Sequence, residues 1–246
     1  MEPLPNLCGQ GALCFLYFVR RNQGGIKMRK KAAIICMGQS GEHKYEDLCK
    51  AVSNAELMFT GILDGLDPEY MQQNVFPKGD EAFIVSNLAD GTEVRIAEKT
   101  AIALTEKKII ELDRQGCDAA LILCTGHFEV PNVSMTVLVP ERVIPALLRA
   151  MNVKRLGCIV PEPEQIRDSL KQYKEFDPII RASSPYGTEK ALAATADLFR
   201  RDEVDLVMTD CMGFTRDLGG IVSAHSGKRV FVPRVILPAL LNALLC

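Results

Sequence analysis

Two cysteines occupy matching positions in two similar stretches of the sequence. Cys124 follows an acid-led apolar run in "DAALILCTGHF", Cys211 follows another in "VDLVMTDCMGF", and glycine and phenylalanine come after each cysteine. To invert a carbon stereocentre without a cofactor, an enzyme needs an acid/base group on each face of its substrate. A thiol can serve when a donor-rich loop or helix start lowers its pKa, which is about 8.5 in a free cysteine. Cys124 and Cys211 are therefore the candidate catalytic pair.

A longer repeat follows the two cysteine stretches. The segment "VLVPERVIPALLRAM" at 137–151 returns as "VFVPRVILPALLNAL" at 230–244, with eight of fifteen positions identical and both prolines retained. Such a repeat indicates an internal duplication, and a duplicated fold tends to place its functional site between the copies. The two cysteines are then equivalent positions of two half-molecules.

The elements that must position these cysteines alternate between strands and helices. Most strand candidates are continuous apolar runs, which are typical of parallel strands covered by helices on both faces. Ligands of such sheets bind beyond the carboxyl ends of the strands, where both thiols lie. A hairpin is predicted at the Asp-Gly turn of 88–94. The predicted strands are 32–37, 81–87, 118–124, 155–160, 178–184, 204–210 and 228–232, and the predicted helices are 44–52, 96–116, 163–176 and 187–201.

Composition excludes several classes of function. The 246 residues carry a net charge of −2 without a basic stripe and contain no tryptophan, which argues against nucleic acid as a partner. The nine cysteines form no C-x-x-C pair, so no metal site is predicted, and their placement in apolar runs indicates reduced thiols in a cytoplasmic protein. We expect a protein that binds a small molecule.

The first 28 residues differ from the rest of the chain. The apolar run at 12–19 is too short for a membrane span, and arginines follow it instead of preceding it, unlike a secretory signal. No membrane association is therefore predicted. We interpret residues 1–28 as a non-native or disordered leader and expect the natural start at Met28, which an intact-mass measurement on the natural protein would check.

Several motifs resemble those of the AroM family, within the aspartate/glutamate/hydantoin racemase-like superfamily. They extend from about Gly38 to the end of the chain. The resemblance implies two pseudo-symmetric α/β lobes and, as in the two-base racemases, one catalytic cysteine per lobe. Those racemases usually carry Asn-Thr after the first cysteine, where this chain has Thr125 and Gly126. The matching segments are "GQS" (38–40), "LDGLDPE" (63–69), "LCTGHF" (123–128), "RLGCIVPEPEQ" (155–165), "SSPY" (183–186) and "TDCMGF" (209–214).

The predicted fold is thus α/β, with two pseudo-symmetric Rossmann-like lobes, mainly parallel sheets and a cleft between the lobes. Lobe 1 is expected to comprise residues 29–140 and 234–246, and lobe 2 residues 141–233. Each copy of the repeat then marks a crossing of the chain between lobes.

Backbone N–H groups after each cysteine could hold a carboxylate or enolate oxygen. Asp210, directly before Cys211, would raise the pKa of that thiol if its carboxylate lay near the sulfur, but neighbouring residues of a strand point to opposite faces. The candidate substrate-binding residues are Gln39, Ser40, Thr125, Gly126, His127, Ser183, Ser184, Tyr186, Met212 and Gly213.

Three functions remain open at this stage. The leading hypothesis is cofactor-independent racemisation or isomerisation of a small carboxylate by Cys124 and Cys211. A decarboxylase-like enzyme using one of these thiols is the second. The third is a non-catalytic or regulatory protein that binds an acid of aromatic metabolism. No cofactor is expected for any of them, and a homodimer is compatible with the sequence.

Overall fold

The structure is a computed structural model, and it describes residues 29–41 and 45–246. The predicted leader therefore lies outside the described residues. Ten strands form two four-stranded parallel sheets and one antiparallel hairpin in this part of the chain. The strands are β1 (Lys30–Cys36), β2 (Ala55–Gly61), β3 (Phe83–Asn87), β4 (Glu93–Ala97), β5 (Ala119–Ile122), β6 (Thr136–Leu138), β7 (Leu156–Val160), β8 (Ile179–Ala182), β9 (Leu206–Thr209) and β10 (Val230–Phe231).

The two parallel sheets have the same topology. The first has the strand order β2-β1-β5-β6 and the second β8-β7-β9-β10. Counted along the chain within each sheet, both orders are second, first, third, fourth. The predicted α/β class with mainly parallel sheets is confirmed, and the repeated order agrees with an internal duplication. The boundaries of the two lobes stay a prediction.

The described part of the chain has eight α-helices, of which α1 to α7 lie between strands and α8 follows the last strand. The predicted helix at 96–116 ends where expected, because Gly116 adopts a φ of 74° just beyond its last turn. Within residues 29–41 and 45–246, none of the helices is both long and apolar enough to cross a membrane. The helices are α1 (Glu46–Ala51), α2 (Pro68–Asn74), α3 (Glu98–Arg114), α4 (Pro140–Ala150), α5 (Ile166–Gln172), α6 (Glu189–Asp197), α7 (Arg216–Ser226) and α8 (Pro233–Ala243).

An aspartate begins the third strand segment of each sheet and fastens it to the first strand. Asp118 Oδ2 accepts the N–H of Lys31 at 2.8 Å, and Asp205 Oδ2 accepts the N–H of Arg155 at 2.9 Å. The hydrogen bond from the ammonium of Lys30, followed by that from the Lys31 amide, lowers the pKa of Asp118, and the amides of Arg155 and Lys154 lower the pKa of Asp205. The acids that precede the two cysteine runs in the sequence therefore hold the strand starts in register.

The two helices of the repeat, α4 and α8, contact parts of the chain that are distant from them in sequence. α8 follows β10 of the second sheet, yet it packs against α1 and β5 of the first. Asn242 near its end accepts the N–H groups of Ser53 and Asn54, both at 2.8 Å. α4 follows β6 of the first sheet, and its Arg149 pairs with Glu175, which lies between α5 and β8. α8 thus packs on the first sheet, and α4 forms an ion pair with the segment between α5 and β8.

Candidate active site

The two candidate thiols have the same local geometry. Cys124 and Cys211 each stand two residues beyond the third strand of their sheet, at its carboxyl end. The Gly126 N–H points at Cys124 Sγ, with 3.5 Å between nitrogen and sulfur, and the Gly213 N–H points at Cys211 Sγ, with a separation of 3.2 Å. Both cysteines are free thiols and partly exposed. The equivalence expected from the sequence therefore extends to atomic contacts.

Both thiols line one cleft of about 1250 Å³. The β3–β4 hairpin forms one wall, and α5 with the loop that carries Tyr186 forms another. The two cysteine loops also contact each other directly, because the Thr125 hydroxyl donates to the Asp210 carbonyl at 3.3 Å. A ligand in this cleft can therefore meet groups from both sheets.

Asp210 is a buried carboxylate that braces the two loops. Its side chain turns to α5, where Ser169 Oγ and the Tyr173 hydroxyl donate to it, each at 3.0 Å. Gln172 Nε2 lies 3.5 Å from the Thr125 carbonyl and 3.1 Å from the Tyr173 hydroxyl, so the same helix also reaches the Cys124 loop. Burial raises the pKa of Asp210, although its hydrogen bonds oppose this shift.

Both thiol pKa values lie above the ordinary range. Burial raises the pKa of Cys124 to about 12 and that of Cys211 to about 11. The amides of Gly126 and Gly213 lower these pKa values, as the sequence suggested, but burial outweighs them. The negative charge of Asp210 raises both further, even though its carboxylate turns towards α5. Both thiols are therefore protonated at neutral pH.

Tyr186 covers the Cys211 loop. A Cβ atom built on Gly213 would lie 2.9 Å from the Tyr186 hydroxyl and 2.9 Å from Pro185 Cγ, so a side chain here would require Tyr186 and Pro185 to move. The residue is 46% exposed, and it lines the cleft. Burial raises the pKa of Tyr186, with a smaller contribution from the Cys211 thiol. The tyrosine can therefore act in the cleft as a neutral hydrogen-bond donor.

His127 lies at the mouth of the cleft on the Cys124 loop. Its Nδ1 is 2.8 Å from Glu141 Oε2, and its Nε2 is 3.2 Å from Glu129 Oε1. The hydrogen bond to Glu141 is the main reason that the pKa of His127 is raised. The imidazole consequently links the loop to the first turn of α4.

The structure gathers most of the predicted site residues in this cleft. Gln39 Oε1 instead accepts the Ala89 N–H at 3.0 Å, and Ser40 Oγ donates to Asp64 at 2.6 Å. Ser183 is buried, and Ser184 Oγ accepts the Tyr186 N–H. These four residues have turn-forming contacts, and their role in substrate binding stays a prediction. The cleft is lined by Cys124, Thr125, Gly126, His127, Tyr186, Cys211, Met212 and Gly213.

Arg234 is the main site residue that the sequence analysis missed. Its guanidinium forms two bonds to Asp47, at 2.7 and 2.8 Å, and donates to the Met212 carbonyl at 3.1 Å. The side chain is only 8% exposed, and its charge lowers the pKa of Cys211. A signal was available, since Arg234 occupies the repeat position at which the other copy has Glu141. The two copies of the repeat therefore carry opposite charges at this position.

Backbone donors complete the cleft. Among the described residues, the amide N–H groups of Thr125 and Met212 have no protein acceptor. They follow the two cysteines directly, and both residues line the cleft. No three His, Cys, Asp or Glu side chains in the described ranges converge as metal ligands would.

Three solved structures resemble this chain over most of its length. A maleate isomerase from Pseudomonas putida has 12% identity and a TM-score of 0.56, covering 87% of this chain and 92% of its own. An arylmalonate decarboxylase has 14% identity and a TM-score of 0.54, with coverages of 87% and 92%. An aspartate racemase homologue from Pyrococcus horikoshii has 12% identity and a TM-score of 0.52, with coverages of 88% and 99%. No curated protein of similar sequence was found.

These neighbours show that the chain has the same fold as the maleate isomerase and the aspartate racemase homologue. The family can be stated more narrowly. A family model described as AroM protein matches residues 32–245, and the chain belongs to this family. The resemblance seen in the sequence is confirmed.

Proposed function

We propose that this protein catalyses cofactor-independent proton transfer at a carbon next to a carboxylate, as a racemase or isomerase. Cys124 and Cys211 are the two acid/base groups. The observation that carries the proposal is their equivalence: each thiol follows the third strand of its sheet, and both open into one cleft. A single carbon placed between them can lose a proton on one face and gain one on the other.

The surrounding groups support this chemistry. One cysteine, as thiolate, takes the proton and becomes a thiol, and the negative charge passes to the substrate as an enolate. The N–H groups of Thr125 and Met212 are positioned to stabilise the enolate oxygens. The other cysteine then gives its proton to the opposite face and is left as a thiolate.

The substrate class follows from the cleft and from the related structures. The relatives are named for maleate, arylmalonate and aspartate, all of which are carboxylates. We therefore propose a small carboxylate as the ligand. We also propose a cytoplasmic location, because the mechanism needs reduced thiols and these persist in that compartment.

A decarboxylation that uses one thiol is the second candidate. It is favoured by the raised pKa values of both cysteines, because a thiol that is neutral at rest can protonate a carbanion without prior ionisation. The similarity in fold to an arylmalonate decarboxylase supports the same alternative. In this reaction carbon dioxide leaves with the C–C bond broken, and one cysteine protonates the remaining carbanion.

Deuterium exchange tests the leading proposal. The protein is incubated in D₂O with single enantiomers of aspartate, glutamate and 2-arylpropionates, and deuterium at the α-carbon and enantiomeric excess are measured. Cys124→Ser and Cys211→Ser should each lower racemisation by about 10²–10⁴-fold, the usual contribution of a general acid or base. Cys49→Ser is the matched control, because Cys49 is a partly exposed thiol of α1 outside the cleft.

The outcomes separate the candidates. Exchange that persists at the wild-type rate in both cleft variants contradicts a role for the thiols. Release of carbon dioxide from an arylmalonate that only one of the two variants abolishes indicates the decarboxylase. Tight binding of carboxylates by calorimetry, without exchange or decarboxylation, indicates a non-catalytic binding protein.

A further inference from the structure

The duplicated helices meet the cysteine loops through one repeat position. Glu141 follows the first proline of α4, and Arg234 follows the equivalent proline of α8. Each reaches the cysteine loop of the sheet that precedes it in the chain: Glu141 binds His127 three residues after Cys124, and Arg234 binds the carbonyl of Met212. The position therefore braces both loops, but with opposite charges.

The two braces differ in burial as well as in charge. The Glu141 side chain is 28% exposed, and its partner His127 is 52% exposed, so water screens this pair at the mouth of the cleft. The Arg234 side chain is 8% exposed. A cation held in such a place acts strongly on groups nearby, since the local dielectric is low. Among the described residues, only the Cys211 loop of the two cysteine loops is contacted by a buried cation, Arg234 of α8.

The other charged groups near the two thiols do not cancel the difference that Arg234 makes between them. Asp210 raises the pKa of both thiols, and Glu98 at the start of α3 raises that of Cys124 alone. Arg234 lowers the pKa of Cys211. The Tyr186 hydroxyl, which faces both thiols, remains neutral because its own pKa is raised. The charges of Glu98 and Arg234 therefore both favour ionisation of Cys211 over Cys124.

We propose that Arg234 is a positioning residue that makes the two thiols inequivalent, so that Cys211 accepts the first proton and Cys124 delivers one to the opposite face. Cys211 first gives its own proton to solvent. It then takes the substrate proton, and Cys124 transfers its proton to the other face of the same carbon. Arg234 does not touch the substrate in this scheme. It fixes the Met212 carbonyl and supplies a positive charge to the Cys211 loop.

The inference rests on the proposed function for its chemistry, but its test needs no substrate. Iodoacetamide alkylation of each cysteine at pH 9 is followed by peptide mass spectrometry, since only the thiolate reacts. In Arg234→Met, a neutral side chain of similar length replaces the guanidinium. We expect the Cys211 rate to fall about tenfold, which corresponds to one pKa unit, while the Cys124 rate stays within about twofold of wild type.

A second variant should change the alkylation rate of Cys211 in the opposite direction. Asp47→Asn removes the partner charge and leaves the guanidinium, so the Cys211 rate should rise. Arg149→Met is the matched control, because Arg149 is an exposed α4 arginine paired with Glu175 outside the cleft, and it should change neither rate. If Arg234→Met does not fold by near-ultraviolet circular dichroism, Asp47→Asn decides alone.

An unchanged Cys211 rate in folded Arg234→Met, or equal changes at both cysteines, overturns the inference. So does an unchanged or lower Cys211 rate in Asp47→Asn. Failure of the proposed function is a separate result: it would appear as absent deuterium exchange in wild type while the alkylation rates still respond to Arg234.

Discussion

Gly126 and Gly213 are equivalent glycines with different surroundings, and they allow a matched substitution to alanine. A Cβ at position 213 would lie 2.9 Å from both the Tyr186 hydroxyl and Pro185 Cγ, whereas at position 126 the nearest atom, Cys124 Sγ, would be 3.6 Å away. Ordinary contacts begin near 3.4 Å, so Tyr186 and Pro185 must retreat by about 0.5 Å only in the Gly213 variant. Neither glycine has a positive φ, so alanine strains neither backbone.

The difference in stability can be worked out from this geometry. Replacing glycine by alanine at a compatible position stabilises a protein by about 0.4–1 kcal/mol through the unfolded chain, and this gain is common to both variants. Overpacking costs about 1–3 kcal/mol and applies to Gly213→Ala alone. We therefore expect Gly213→Ala to be less stable than Gly126→Ala by about 1–3 kcal/mol.

Urea denaturation followed by circular dichroism measures this difference. A second substitution locates its cause: Tyr186→Ala opens the space above position 213, so the cost of Gly213→Ala should shrink in that background. Equal stabilities of the two alanine variants would refute the reasoning, as would a cost that is the same with and without the tyrosine side chain.

Two further predictions concern charge. Asp210→Asn removes a buried negative charge that raises the pKa of both thiols, so alkylation of Cys124 and Cys211 should accelerate together, and acceleration at one cysteine alone would contradict this. Glu141→Gln removes the main partner of His127, so the pKa of His127 should fall towards its ordinary value in an NMR titration. Because the folded pKa is raised, the pair stabilises the protein fully below the unfolded pKa of the imidazole and loses this effect as the pH rises through the folded pKa. The variant should therefore lose stability at acidic pH and little at alkaline pH.

Much of the fold was predictable because its central strands are continuous apolar runs. The runs at 32–37 and 155–160 correspond to β1 and β7, and both are buried on each face. β2 was missed, since it is an edge strand whose first residues alternate between buried and partly exposed. β6 was missed because its three residues are too few to show a period, whereas β10, with two residues, lies within the strand predicted at 228–232.

The site was predictable only where the sequence repeats itself. Duplication identified Cys124 and Cys211, and both lie in the cleft. It could not identify Ser169 or Gln172, because they reach the loops from α5, an element with no sequence mark of its function. Arg234 likewise depends on Asp47, which is distant in sequence and comes close only when α8 packs on the first sheet.

α8 comes last in the chain but packs against the first sheet, and this affects how the chain folds during its synthesis. Chains generally fold from the N-terminal side as they emerge from the ribosome. Here the first sheet comes early, but α8, which packs against its β5 and against α1, is made after all ten described strands. The helices α4, α5, α6 and α7 are synthesised before α8. The helices that connect the strands of the second sheet are therefore present before α8 can pack on the first sheet. Part of the apolar surface of the first half therefore stays exposed until α8 has been synthesised and packs against it.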